Sequence, residues 1–77
     1  MANYSHFDKE SLITLCKNNF IPDDKRDAIL AKVDNGDDTL LDDLRSIQGD
    51  IFDPDDLDAV KDLINYAQVV QKQEGKA

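Results

Sequence analysis

Aspartate is the residue type best placed to do chemistry in this chain, with fifteen copies among 77 residues. The densest run is Asp50, Asp53, Asp55, Asp56, Asp58 and Asp62. Paired carboxylates can serve as general acid and base where an apolar pocket drives one pKa away from the other. No such pocket is implied around this run, and so many aspartates make close pairs inevitable. Carboxylates can also bind calcium through a loop with ligands at positions 1, 3 and 5, glycine at 6 and glutamate at 12. Asp34-Asn35-Gly36-Asp37-Asp38 begins like such a loop. Counted from Asp34, however, Gly36 falls at position 3, Thr39 at 6 and Arg45 at 12, so the register fails. The Asp50 to Asp58 cluster lacks the glycine, and helix capping explains Asp53, Asp55 and Asp56.

Other chemistry has little material. His6 is the one histidine, in an N-terminal segment expected to be solvated, with no carboxylate in view to orient it. Cys16 is the one cysteine, which rules out an intramolecular disulfide and a thiolate-rich metal site and leaves it as a small apolar packing residue. One His and one Cys are too few for a typical zinc site. Gly36, Gly49 and Gly75 are isolated, so no phosphate cradle forms. The expectation is a non-enzymatic protein with no cofactor and no metal.

The net charge of −8 is unevenly placed. Residues 1–36 hold six acids and five bases, whereas residues 37–62 hold ten acids against Arg45 and Lys61. Direct binding to nucleic-acid phosphates is disfavoured, because it is driven by clustered Lys and Arg. No run is long and apolar enough for a membrane helix, and MANYSHFDKE shows no secretory pattern. A cytoplasmic protein is the expectation.

These residues must be positioned by helices, since no segment alternates like a strand. The pattern predicts an all-α fold, a compact single-domain bundle of four short helices at about 8–18, 22–34, 38–48 and 54–72, with residues 1–4 and 73–77 frayed. Ser5 and Asp8 match the spacing of a capping box, and alternatively Asp8 is itself the N-cap, with Phe7 and Leu12 as a hydrophobic staple. Leu12, Ile13, Leu15 and Cys16 form the apolar side of the first helix, and Phe20 and Ile21 continue the burial. Ile29, Leu30 and Val33 turn the second helix inward before the stop at Asn35-Gly36. Asp37 or Asp38 is expected to cap the third, whose Leu40, Leu41, Leu44 and Ile47 gather within about 120° of arc. Asp42, Asp43 and Ser46 point away from that face.

The fourth helix is the best marked and is expected to be central. Asp53 caps it, Pro54 fits its first position, and Phe52 with Leu57 suits a staple. Leu57, Ala59, Val60, Leu63, Ile64, Tyr66, Ala67 and Val70 cover about half its cylinder, so it needs more than one neighbour. Asp55, Asp58, Asp62, Asn65 and Val69 stack along the opposite side. The segments starting at Phe20 and Phe52 share F-x-P-D-D, which reads as one helix-start solution used twice. All three phenylalanines are expected to anchor the core.

Two readings of the acidic side stand together: a solvated face that keeps the protein soluble, and a binding surface. Asp58 and Asp62 repel each other at their spacing, and Lys at i+4 is nearly missing. The binding reading places Asp42, Asp43, Asp55, Asp58, Asp62 and Val69 on a surface that docks on a basic protein partner, with Tyr66 or Ile51 as further apolar anchors. The concrete version is a nucleic-acid-binding protein or nuclease inhibited by phosphate or DNA mimicry, as a phage-encoded or immunity-type inhibitor would do. The alternative is a helical adaptor or oligomerising subunit that uses the broad apolar face of the last helix. A calcium-responsive module is third.

Overall fold

The structure is a computed structural model and describes residues 2–74. Four helices follow in order: α1 Lys9–Asn18, α2 Asp23–Asn35, α3 Leu40–Gln48 and α4 Pro54–Glu74. Each packs on two others, α1 with α2 and α4, and α3 with α2 and α4. The all-α bundle is therefore a four-walled ring. Contrary to the expected central position, α4 is its longest wall and shares its largest contact with α3. The interior is filled by Leu12, Leu15, Ile29, Leu40, Leu44, Ile47, Val60 and Ala67, among others.

Local sequence explains where the helices start. The Asp8 carboxylate accepts from the Ser11 backbone N–H at 3.0 Å and from the Ser11 hydroxyl at 2.7 Å, so Asp8 is the N-cap of α1. Asp53 does the same for α4, accepting from the Asp55 N–H at 2.8 Å. The cap expected at Asp37 or Asp38 is displaced: Thr39 occupies the N-cap position of α3, and its side chain caps no N–H of the helix. Asp37 instead accepts from the Thr39 N–H at 2.9 Å and the Thr39 hydroxyl at 2.7 Å, fixing the turn just before the helix.

The helix ends are equally explicit. At the end of α1 the Ile21 N–H donates to the Cys16 carbonyl and the Phe20 N–H to that of Lys17, while Phe20 adopts φ 57°. This is the Schellman arrangement, in which one residue turns left-handed and the next packs back on the helix, as buried Ile21 does. The end of α2 repeats it with Asp37 donating to Lys32, Gly36 donating to Val33, and Gly36 at φ 63°.

For residues 2–4 the N-terminal arm corrects the expectation of a loose segment. The Ala2 N–H donates to the Gly36 carbonyl at 3.2 Å, and Tyr4 is only 3% exposed. Tyr4 and Phe7 pack on Tyr66 with ring centroids 6.5 Å and 6.2 Å away. The Gln71 amide donates to the Tyr4 hydroxyl and to the Asp38 carbonyl, both at 2.9 Å. The arm buries Ala2, Tyr4 and Phe7, and the broad arc of α4 supplies the seat of its rings. Its first residue, Met1, lies outside the described part. Of the tail expected to fray, Gln73 and Glu74 belong to α4, and 75–77 lie outside the described residues.

Three core assignments are overturned. Phe20 and Phe52 are 93% and 87% exposed, and Ile13 is also exposed. Phe20 cannot fold inward because the left-handed turn that buries Ile21 points its own side chain out. Ile51 takes the place beneath the α3–α4 junction, so Phe52 makes no staple with half-buried Leu57.

Candidate functional site

The acidic side chains divide into two environments. Among the described residues, every ion pair is made outside α4: Lys9 with Asp34, Lys25 with Asp50, Arg26 with Asp23 and Asp27, and Lys32 with Asp43. On α4, Asp55, Asp58 and Asp62 are exposed and have no ion-pair partner among those residues. Asp56 is half-buried and accepts from the Asn19 amide at 2.9 Å. Asp55, Asp58 and Asp62 thus stand as free charge among the described residues.

The residues expected to share one surface do not all meet. Asp43 was expected to point away from the packed face, but it is half-buried and holds Lys32 of α2 at 2.9 Å. That bond, followed by the nearby charge of Asp43, raises the Lys32 pKa above the ordinary lysine value. Asp43 lines a groove of about 290 Å³ between α2 and α3 together with Asp24, Ala28, Ile29 and Ile47. Asp42 is exposed, and its charge also acts on Lys32. Asp42 and Asp43 therefore belong to the α2–α3 side.

Asp62 faces another groove. It lines a furrow of about 240 Å³ between α4 and the start of α1 with His6, Asp8, Ser11, Ala59 and Tyr66. Farther along the same two helices, Asp8, Glu10 and Asp56 line a second hollow that shares Ser11 and Ala59 with the first. The structure thus adds Asp8 and Glu10 of α1 to the acidic side of α4. Their contribution was missed because α1 shows almost no net charge in the sequence; only the packing of α1 on α4 makes them neighbours.

The apolar members sort by exposure. Val69 is 54% exposed in line with Asp55, Asp58 and Asp62. Ile51 is buried, which removes it as an anchor. Tyr66 is half-buried, and its hydroxyl accepts from the His6 backbone N–H at 3.1 Å. Phe20 and Phe52 present far more apolar surface than any of these.

The groups with other chemistry are engaged in the fold. Cys16 is buried, and burial pushes its thiol pKa up, which disfavours the reactive thiolate. Asp8 lies below its ordinary value because the Ser11 hydroxyl and then the Ser11 N–H donate to it. Asp37 is lowered by the Thr39 N–H and then by the Thr39 hydroxyl. The segment resembling the start of a calcium loop is the α2 stop, with Asp34 paired to Lys9 and Gly36 closed against Ala2. Among the described residues, no three His, Cys, Asp or Glu side chains form a group that could hold a metal ion.

Fold and surface define an all-α four-helix domain with a charged α4 face. A scan against protein-family models and searches of curated proteins and of solved structures each find no match for this chain.

Proposed function

We propose that this chain is a non-enzymatic binding regulator or inhibitor whose α4 face docks on a basic protein. A nucleic-acid-binding protein or nuclease is the partner class that suits it best, with the carboxylates standing where phosphates would lie. The observation that carries this reading is the segregation of charge pairing. Lys9 of α1 and Lys25, Arg26 and Lys32 of α2 are spent on acids of α2, α3 and the α3–α4 link, while Asp55, Asp58 and Asp62 are left exposed and without an ion-pair partner among the described residues. Like charges four residues apart oppose helix stability by a few tenths of a kcal/mol. Asp55 lies in the first turn, where the helix dipole favours it, but stability gives no such reason to keep Asp58 and Asp62.

The mechanism is electrostatic steering followed by desolvation of a few apolar contacts. Clustered carboxylates raise the encounter rate with a cationic surface, and the attraction weakens as salt screens it. Occupying that surface then excludes nucleic acid from it.

The adaptor reading loses its motive, because α1, α3 and the N-terminal arm cover the broad apolar arc of α4 within one chain.

A pull-down from cells of the source organism at low and moderate salt tests the proposal. The expected result is a basic nucleic-acid-binding protein that is recovered at low salt and lost as salt rises. Reversing Asp55, Asp58 and Asp62 to lysine should abolish recovery while the helical circular dichroism is kept. Binding unchanged by that triple variant would overturn the assignment of the face.

A further inference from the structure

Phe20 and Phe52 are the most exposed large apolar side chains among the described residues, and both begin the sequence F-x-P-D-D. The ring arrangement places the α1–α2 and α3–α4 junctions at one end of the bundle. Two contacts join those junctions: the Asn19 amide donates to Asp56 at 2.9 Å, and Lys25 lies 3.8 Å from Asp50. Phe20 and Phe52 therefore sit at the same end, each with its ring exposed.

The fold has little use for either ring. Phe20 holds φ 57°, a conformation that strains side chains with a Cβ, at a turn where the α2 end uses Gly36. Its ring remains 93% exposed, so no burial offsets the strain. Single exposed apolar residues are ordinary, but two almost fully exposed aromatics on neighbouring junctions, each opening the same F-x-P-D-D sequence, are the kind of side chain that anchors an interface.

Charge selects the occupant. Asp23, Asp24, Asp50, Asp53, Asp55 and Asp56 surround the two junctions in sequence, against Lys17, Lys25 and Arg26; Lys25 pairs with Asp50 and Arg26 with Asp23 and Asp27, which leaves Asp24, Asp53, Asp55 and Asp56 against Lys17. A second copy would set like charge against like charge. A basic surface with apolar pockets would be complementary. The free acids of α4 start at Asp55, three residues after Phe52, so the aromatic end continues the acidic face.

Resting on the acidic docking reading above, we infer that Phe20 and Phe52 are paired aromatic anchors that enter apolar pockets of the same basic protein partner. The acids steer and rim the contact, while the rings supply the desolvated centre, the division common at interfaces with hot spots.

The test uses the full chain in its source cells, with the photo-crosslinking analogue benzoylphenylalanine placed in turn at positions 20, 52 and 58 and the products identified by mass spectrometry. All three positions should capture the same protein, one rich in Lys and Arg. With that protein purified, Phe20→Gly and Phe52→Ala should each weaken binding at least about tenfold, with the helical circular dichroism retained. Capture from position 58 alone, or undiminished affinity of both variants, overturns the anchors and leaves the acidic face standing. Absence of capture from all three overturns both readings. Products joining two copies of this chain, or an acidic captured protein, overturn the choice of occupant.

Discussion

Asn19 and Asp56, 37 residues apart in sequence, are joined by a 2.9 Å hydrogen bond from the Asn19 amide to the Asp56 carboxylate. The same amide also donates to the Leu15 carbonyl, so one side chain closes the end of α1 and holds the first turn of α4 beside it. Asn19→Ala should lower stability by about 1 kcal/mol, since the bond is partly buried and has a charged acceptor. Chemical denaturation of the variant against the parent checks this, and an unchanged midpoint would show that water replaces the amide without cost.

Gly36 has two reasons to lack a side chain. It holds φ 63°, and a Cβ there would run into the backbone carbonyl of Ala2. Gly36→Ala should cost about 2 kcal/mol or more, from left-handed strain plus displacement of the arm that carries Tyr4. Urea unfolding measures the loss. Tyr4 emission should also become more solvent-like if the arm is dislodged, and retention of both properties would contradict the role assigned to this contact.

Phe20→Gly should act in the opposite direction on stability. Glycine removes the left-handed penalty and sacrifices almost no buried surface, although it adds freedom to the unfolded chain. The net expectation is a gain of about 0.5 kcal/mol, read as a melting temperature higher by about 2–4 °C for a chain of this size. A large fall in melting temperature would mean that the ring supports the fold after all.

What could be read from the sequence was chiefly what depends on local chemistry. The caps at Asp8 and Asp53, the stop at Gly36, the four helices and most of their buried faces follow from residue types at fixed spacings. Phe20 and Phe52 were misassigned because hydrophobicity says that a ring prefers burial, while the backbone turn and the competition from Ile21 and Ile51 decide whether it obtains it. The anchoring of Ala2 and Tyr4 depends on partners more than thirty residues away, beyond any local pattern. The same holds for the acids: the exposed line on α4 was visible at helical spacing. The capture of Asp43 by Lys32 and the approach of Asp8 and Glu10 to α4 arise from helix packing.

The cap at Asp8 makes a pH-dependent contribution with a definite sign. Hydrogen bonds from Ser11 lower its folded pKa, so the ionised form is favoured in the folded state. The stabilisation is complete above the unfolded carboxylate value and is lost as pH falls through the lower folded value. Asp8→Ala should therefore be less stable than the parent at neutral pH, and the gap should narrow through the acid range below the ordinary aspartate pKa. Paired thermal melts across that range test it; a gap independent of pH would mean that the charge of Asp8 adds nothing to the cap.

Asp62→Lys separates the demands of stability from those of binding. Asp58 and Asp62 lie four residues apart on the exposed side of α4, where like charges repel and an acid preceding a lysine by four residues attracts it. The substitution should stabilise the helix by about 0.5 kcal/mol, the sum of repulsion removed and attraction added. Because the residue is exposed, the gain should shrink as salt is raised. If the α4 face is a binding surface, the same substitution should slow association with the basic partner, most strongly at low salt. Stopped-flow association and thermal melts at two ionic strengths measure both effects. A variant that is more stable and binds equally fast would leave solubility as the reason for the carboxylate; one that is more stable and binds more slowly would show charge retained at the expense of the fold.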